Sequence, residues 1–351
     1  MPNAMMPNAT GPWRCLAVGL LLAMPSTVGG QQPDLTPQET AREFIAPADS
    51  AINRGLDFLA RSQREDGSFG SGYAGNVAVV GLGGIAFIAS GSTPGRGPYG
   101  EHLDRVVDYL VDRTGPSGFI TASGKSSQGP MYGHGFATLF LAEAYGMSPN
   151  DELRDKLEAA IGLIISAQNN EGGWRYQPRP VDADLSVTIC QIMALRAARN
   201  AGIDVPVETV DRCIKYVRSC QNPDGGFGYT SRDRSSLFPR SAAGVVALYS
   251  AGVYDGPEIE KGLLYLDKSF INQGRGRRSG HFFYGHYYGV QAMWQAGGER
   301  WQRWYPKIRD TLVASQSATG SWSGSVGSQY ATAMACIILQ TPNDLVPIFQ
   351  R

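Results

Sequence analysis

Five polar residues stand at the starts of strongly apolar segments. His134, Asp184, Arg240, His286 and Ser328 take matching places once Thr138, Thr188 and Thr332 are treated as equivalent. Polar groups entering an otherwise apolar helix set are an informative anomaly. Asp182 lies two residues before Asp184 and adds a second carboxyl. Two imidazoles, two carboxyls and a guanidinium suffice for proton transfer and anion binding. Arg240 and the histidines would then bind and deprotonate an acidic sugar, as a polysaccharide lyase does. A plainer reading stands beside it: Asp and Ser are good helix N-caps, and a carboxylate suits the positive end of a helix dipole. Phe282, Phe283, Tyr284, Tyr287 and Tyr288 cluster around His286. Facing a cavity, such rings stabilise a carbocation or stack on sugars; otherwise they are core.

These residues need a scaffold, and the sequence repeats one. Gln is followed four residues later by Gly and six later by an aromatic in Gln63/Gly67/Phe69, Gln168/Gly172/Trp174, Gln221/Gly225/Phe227 and Gln316/Gly320/Trp322. Two degenerate copies, with Thr114 and Phe270 at the Gln position, fill the gaps and keep a period of about 50 residues. Before each turn runs an amphipathic helix, as in Leu56, Leu59, Ile161, Ile164, Ile214 and Val217. After each comes a helix apolar on nearly all sides, which must be buried. The expected fold is all-α: an (α/α)6 toroid of six helical hairpins around a central cavity. In the closing turns Gly takes the left-handed conformation that stops a helix, Gln bonds orphan backbone groups, and the aromatic packs over the turn to tie neighbouring repeats.

The expected organisation is a signal peptide over 1–30, a leader over 31–48 with a short helix at 37–45, the toroid over 49–340, and a tail over 341–351 docked across the first repeat. Arg14 followed by the apolar run Cys15 to Met24 reads as an export signal, placing the mature chain in the periplasm or outside the cell. The run is too short to span a bilayer, which takes about 20 apolar residues. Lys+Arg and Asp+Glu are equal at 31 each, a balance that leaves no footprint for nucleic acid or an anionic membrane. The basic run Arg275 to Arg278 reads as a solvated loop, or as a contact for an acidic polymer. Cys190, Cys213, Cys220 and Cys336 read as buried small hydrophobes without disulfide or metal, and no cofactor signature appears. The partner expected is a small apolar substrate or a glycan.

The pattern K/R-G-x2-aromatic-aliphatic-x3-Q-x3-G-x-aromatic resembles the QW motif of squalene and oxidosqualene cyclases, whose toroid the protein prenyltransferases share. The resemblance covers roughly residues 50 to 340. Two further stretches, Gly91 to Gly100 and Asp182 to Gly202, look like exported squalene-cyclase-like repeat proteins of planctomycete-type bacteria. The resemblance implies a terpenoid-cyclase-like enzyme in which Asp184 matches the proton-donating middle Asp of D-x-D-D, Asp182 the first, and Leu185 replaces the last. Such cyclases also enclose a triterpene between two helical domains, of which this chain supplies one. Protein prenyltransfer would need zinc held by Asp, Cys and His; Tyr284 to Tyr288 resembles the histidine segment, but the Asp-x-Cys pair has no counterpart around Phe238 to Ala243. A noncatalytic exported scaffold or binding module is the alternative on the same ring.

Overall fold

The computed structural model describes residues 42–70, 75–122, 129–273 and 281–350. The export signal, most of the leader and the Arg275–Arg278 run lie outside the described residues. Twelve long α-helices occur among the described residues, preceded by a helical segment at 42–45, the described part of the expected leading helix. The outer set is α1 (Asp49–Ser62), α3 (Gly100–Asp112), α5 (Asp151–Ser166), α7 (Val207–Ser219), α9 (Pro257–Gln273) and α11 (Gly298–Ser315). The inner set is α2 (Val77–Ala89), α4 (Pro130–Met147), α6 (Leu185–Asn200), α8 (Phe238–Ser250), α10 (Phe282–Ala296) and α12 (Ser328–Gln340). Each inner helix packs on the next, and α12 packs back on α2, so the ring is closed. The α1 sequence is amphipathic and buries Ile52, Leu56 and Leu59, whereas α2 buries twelve of its thirteen residues. This is the division between outer and inner helices that the apolar patterns require.

The turns hold the ring by a more specific device than aromatic packing. The Gln168 amide donates to Gly172 O and to Thr209 O of α7, both at 2.9 Å. Gln63 reaches His102 O of α3, Gln221 reaches Glu258 O of α9, and Gln316 reaches Ala51 O of α1. One side-chain amide thus closes its own turn and bonds the next outer helix, and the last repeat bonds the first. The amide N–H groups make the backbone bonds, whereas both ends of the Gln were expected to serve the backbone; the carbonyl oxygens of Gln63 and Gln316 accept instead from side chains of the next outer helix, Arg105 and Arg54. Gly172 explains its own identity: φ is +98°, and a Cβ there would lie 2.1 Å from Arg212 O. The backbone approach that the Gln needs leaves no room for a side chain.

The chain ends seal this frame. Phe44 packs edge-on against Trp301 and Tyr305 of α11, and Arg309 donates to its carbonyl. The tail begins beside the first repeat, where Asn343 donates to Ala89 O. It then travels further than expected. Its short 3-10 turn, Pro347–Phe349, packs on α6, Phe349 meets the Tyr287 ring, and Gln295 of α10 donates to Phe349 O. The tail therefore crosses the end of the ring at which the inner helices finish.

Candidate functional site

At the opposite end, where the inner helices begin, lies a cleft of about 450 Å³, within the range of small-molecule sites. Tyr132 of α4, Tyr176 and Tyr229 from the loops before α6 and α8, Tyr284 of α10 and Tyr330 of α12 line it, with Arg240 and Ser186. Beneath it the ring is filled. Tyr287 and Tyr288 are fully buried, Phe136 stacks edge-on with Tyr287, and the Cys190 thiol meets the Tyr288 hydroxyl. Tyr284 spans the mouth by donating to Ser186 O on α6.

Asp184 is the N-cap of α6: its Oδ1 accepts from Val187 N at 2.9 Å, as an Asp before a helix should. The residue is fully buried. Its other oxygen, Oδ2, has no hydrogen-bond partner and lies 3.6 Å from Arg175 Nε. Burial raises the carboxyl pKa to about 6, against the cap bond, Arg175 and the Tyr229 hydroxyl, which favour the carboxylate. Asp182 is exposed and holds the other side of Arg175, with Nη1 at 3.0 Å. The Arg175 guanidinium also faces the Tyr176 and Tyr229 rings, 5.1 and 5.6 Å from their centroids.

The two tyrosines around Asp184 hold each other. Their hydroxyls are hydrogen-bonded across the mouth. Their carbonyls are pinned as well: Met131 N donates to Tyr176 O and Leu185 N to Tyr229 O, at 3.0 and 2.9 Å. Each is eight residues past its repeat Gln, Gln168 or Gln221, and no other repeat Gln has a Tyr at that offset. The signal is therefore present in the sequence, two positions beyond the motif's aromatic.

The other expected site residues separate. Arg240 lines the cleft but is clamped, donating to Asp233 Oδ2 at 2.8 Å and to Ser235 O at 2.9 Å. Asp233, which also accepts from Tyr229 N and Ser235 N, is held down to about 2 by these donors. His134 is away from the mouth. Its Nδ1 accepts from Ile120 N at 3.2 Å and its Nε2 faces Ala160 O at 3.3 Å. Trp174 N donates in the same way to Thr188, Phe227 N to Ser241 and Trp322 N to Thr332. His134 is thus the second repeat's counterpart of those hydroxyls, one helical turn from the place that alignment on Thr138 gives it. His286 is buried among Phe238, Phe282 and Trp304, and burial pushes it down to about 3, so it is neutral. Tyr287 and Phe283 belong to the packed interior, Phe283 beside Phe282; only Tyr284 of the expected aromatic set lines the cleft. Among the described residues no group of three His, Cys, Asp or Glu side chains could hold a metal, the four cysteines are free and buried, and no helix is long and apolar enough to cross a membrane.

Residues 56–237 match the model of the prenyltransferase alpha-alpha toroid domain. The chain belongs to the prenyltransferase alpha-alpha toroid family. Drimenyl diphosphate synthase from Streptomyces showdoensis is 24% identical over 178 residues, which cover 51% of this chain and 32% of that enzyme. A type II terpene cyclase from Scytonema, solved with its substrate geranylgeranyl dihydroxybenzoate, superposes with a TM-score of 0.59 at 14% identity, covering 87% of this chain and 99% of that one. A cellobiose 2-epimerase from Spirochaeta thermophila reaches 0.61 at 14% identity, covering 91% and 99%. The shared fold therefore includes carbohydrate enzymes as well as cyclases, and the site must discriminate. Nearly all of the Scytonema cyclase's chain is matched by this one.

Proposed function

We propose that this toroid is a terpene-cyclase-like enzyme: an acyclic prenyl chain enters the tyrosine-lined cleft, and Asp184 supplies the proton that starts cyclisation. The observation that carries the reading is the buried Asp184 carboxyl, which keeps its proton to about pH 6 behind the cleft wall. A general acid is most effective when its pKa lies near the working pH. Five tyrosines line the cleft, and aromatic rings stabilise a nearby developing cation. Arg175 lies at hand for the carboxylate that remains. Leu185, in place of a third carboxyl, is fully buried and packed, so Arg175 and Tyr229 are the groups left to tune the acid. Export ahead of function is part of the proposal and rests on the sequence of residues 1–30.

The test is product analysis by mass spectrometry after incubating the protein with polyprenyl alcohols, polyprenyl diphosphates and geranylgeranyl dihydroxybenzoate. Cyclised product from the wild type, lost in Asp184→Asn, is the expected result. Full turnover by Asp184→Asn sinks the assignment. One observation favours the alternative of a binding module without turnover: Tyr287, Tyr288 and Phe136 fill the ring beneath the cleft. Binding of a prenyl ligand by wild type and Asp184→Asn alike, without product from either, would select it.

A further inference from the structure

The bar that Tyr284 forms across the mouth of the ring is also the floor of the cleft. Its side chain lines the cleft, and its hydroxyl donates to Ser186 O at 3.1 Å, which ties α10 to α6. Behind it aromatic rings follow one another to the tail. Tyr284 meets Tyr288 at 4.9 Å between centroids, Tyr288 meets Tyr287 at 4.8 Å, and Tyr287 meets Phe349 at 6.1 Å, each pair edge-on. Tyr287 and Tyr288 are fully buried. This column gives the cleft a blind end.

The space in front of Tyr284 has a definite size. It is about 450 Å³, and at about 30 Å³ per heavy atom, the share of one water in the liquid, it has room for roughly fifteen carbons. Several of its polar groups are already committed. The Tyr176 and Tyr229 hydroxyls bond each other, Tyr284 bonds Ser186 O, and Arg240 is held by Asp233 and Ser235. Leu237, Pro239 and Val326 add apolar wall. Such a lining suits a hydrocarbon chain better than a sugar, whose buried hydroxyls each need a partner.

We infer that Tyr284 sets the length of chain this protein takes: the cleft in front of it encloses about three isoprene units, roughly fifteen carbons, and a longer chain leaves its remainder outside. This limit rests on the reading of the cleft as a prenyl site and adds the size of chain and the residue that fixes it. Each carbon enclosed is removed from water and strengthens binding, whereas a carbon beyond the mouth stays solvated and adds little. Tyr284 is held at both ends of its side chain's reach, by Ser186 O at the hydroxyl and by the Tyr288 ring behind, so the floor is fixed before a ligand arrives.

The experiment uses the full chain with geranyl, farnesyl and geranylgeranyl diphosphates, chains of two, three and four isoprene units on one head group. Binding is measured by calorimetry on Asp184→Asn, to separate it from turnover, and product formation is followed on wild type. Affinity is expected to rise about tenfold or more from geranyl to farnesyl, the scale of several enclosed methylenes. From farnesyl to geranylgeranyl it should rise less than about threefold, because the added unit is outside. Tyr284→Ala, added to Asp184→Asn, removes a ring larger than an isoprene unit, and the second step should then become about tenfold or more. Tyr284→Leu, a smaller loss of core volume, should fall between the two. Equal gains at both steps with Tyr284 in place, or an unaltered profile in both Tyr284 variants, overturns the floor whether or not product forms. A profile that breaks at farnesyl, with no product from wild type, keeps the floor and removes the cyclase reading. No binding of any of the three chains removes both.

Discussion

Arg175 Nε stands 3.6 Å from Asp184 Oδ2, while Nη1 of the same guanidinium stands 3.0 Å from exposed Asp182. One cation is thus divided between a buried carboxyl and a solvated one. The cation favours ionised Asp184, and burial opposes it. Arg175→Gln is therefore expected to raise the Asp184 midpoint above about 6, by roughly one unit or more for a lost neighbouring charge. Asp182→Asn should move it the other way, because Arg175 then pairs with Asp184 alone. Carboxyl ¹³C titration measures both. Equal midpoints in all three proteins would remove Arg175 from any part in tuning the acid.

The fold is legible in the sequence because its strongest signal is repetition: Gln, Gly and an aromatic at fixed offsets recur where the ring is stapled. The degenerate second copy keeps the geometry with different atoms, since Thr114 stands at the Gln position and Ile120 N–H is met by an imidazole. That substitution also displaces the alignment of the inner helices. Thr138 resembles Thr188 by type, but His134 fills the role, so His134 belongs to the frame and not to the mouth. Asp184 stands out because a cap and a buried acid look alike in sequence, and here one residue is both. Tyr176 and Tyr229 are marked only by their shared offset from Gln168 and Gln221, and Arg175 by nothing: all three follow a structural motif and read as part of its loop.

His134 should behave as a structural residue. His134→Ala leaves Ile120 N–H buried without an acceptor, which costs about 1–3 kcal/mol, plus the volume lost. His134→Thr restores an acceptor like Thr188 and should recover part of that loss. Chemical denaturation gives the stabilities, and binding of a prenyl ligand to the cleft should be unaltered in both. A loss of binding in His134→Thr without a loss of stability would return His134 to the site.

Two left-handed glycines separate backbone strain from ring geometry. Gly202 has φ +86°, and a Cβ added there would meet nothing within 4 Å, so Gly202→Ala should cost only the left-handed penalty, roughly 1–2 kcal/mol. Gly172 has φ +98° and a Cβ there meets Arg212 O at 2.1 Å. Gly172→Ala must push α7 away and break the Gln168 bond to Thr209 O. Its loss should exceed that of Gly202→Ala by at least one further hydrogen bond, about 1 kcal/mol or more. Thermal unfolding of the two variants makes the comparison, and equal losses would mean that the close turn-to-helix approach is not needed.

Glu143, near the end of α4, is buried under the tail, where it accepts from Ile348 N, and burial pushes its pKa up to about 8. A carboxyl whose folded pKa is raised binds more protons folded than unfolded. Its stabilising contribution is complete below the unfolded value of 4.5 and is lost as pH rises through about 8. Glu143→Gln cannot ionise, so the variant should gain on wild type from pH 4.5 to about 8, with a constant gap above that. A shift of this size corresponds to a few kcal/mol, at about 1.4 kcal/mol per unit. Paired denaturation curves across roughly pH 5 to 9 provide the measurement. Over the same range, hydrogen exchange at Ile348 should quicken more steeply with pH in wild type than in Glu143→Gln, because an ionised Glu143 must draw water under the tail. Parallel stability curves would show that Glu143 already reaches solvent, and that the tail closes the ring less tightly than its packing on α6 implies.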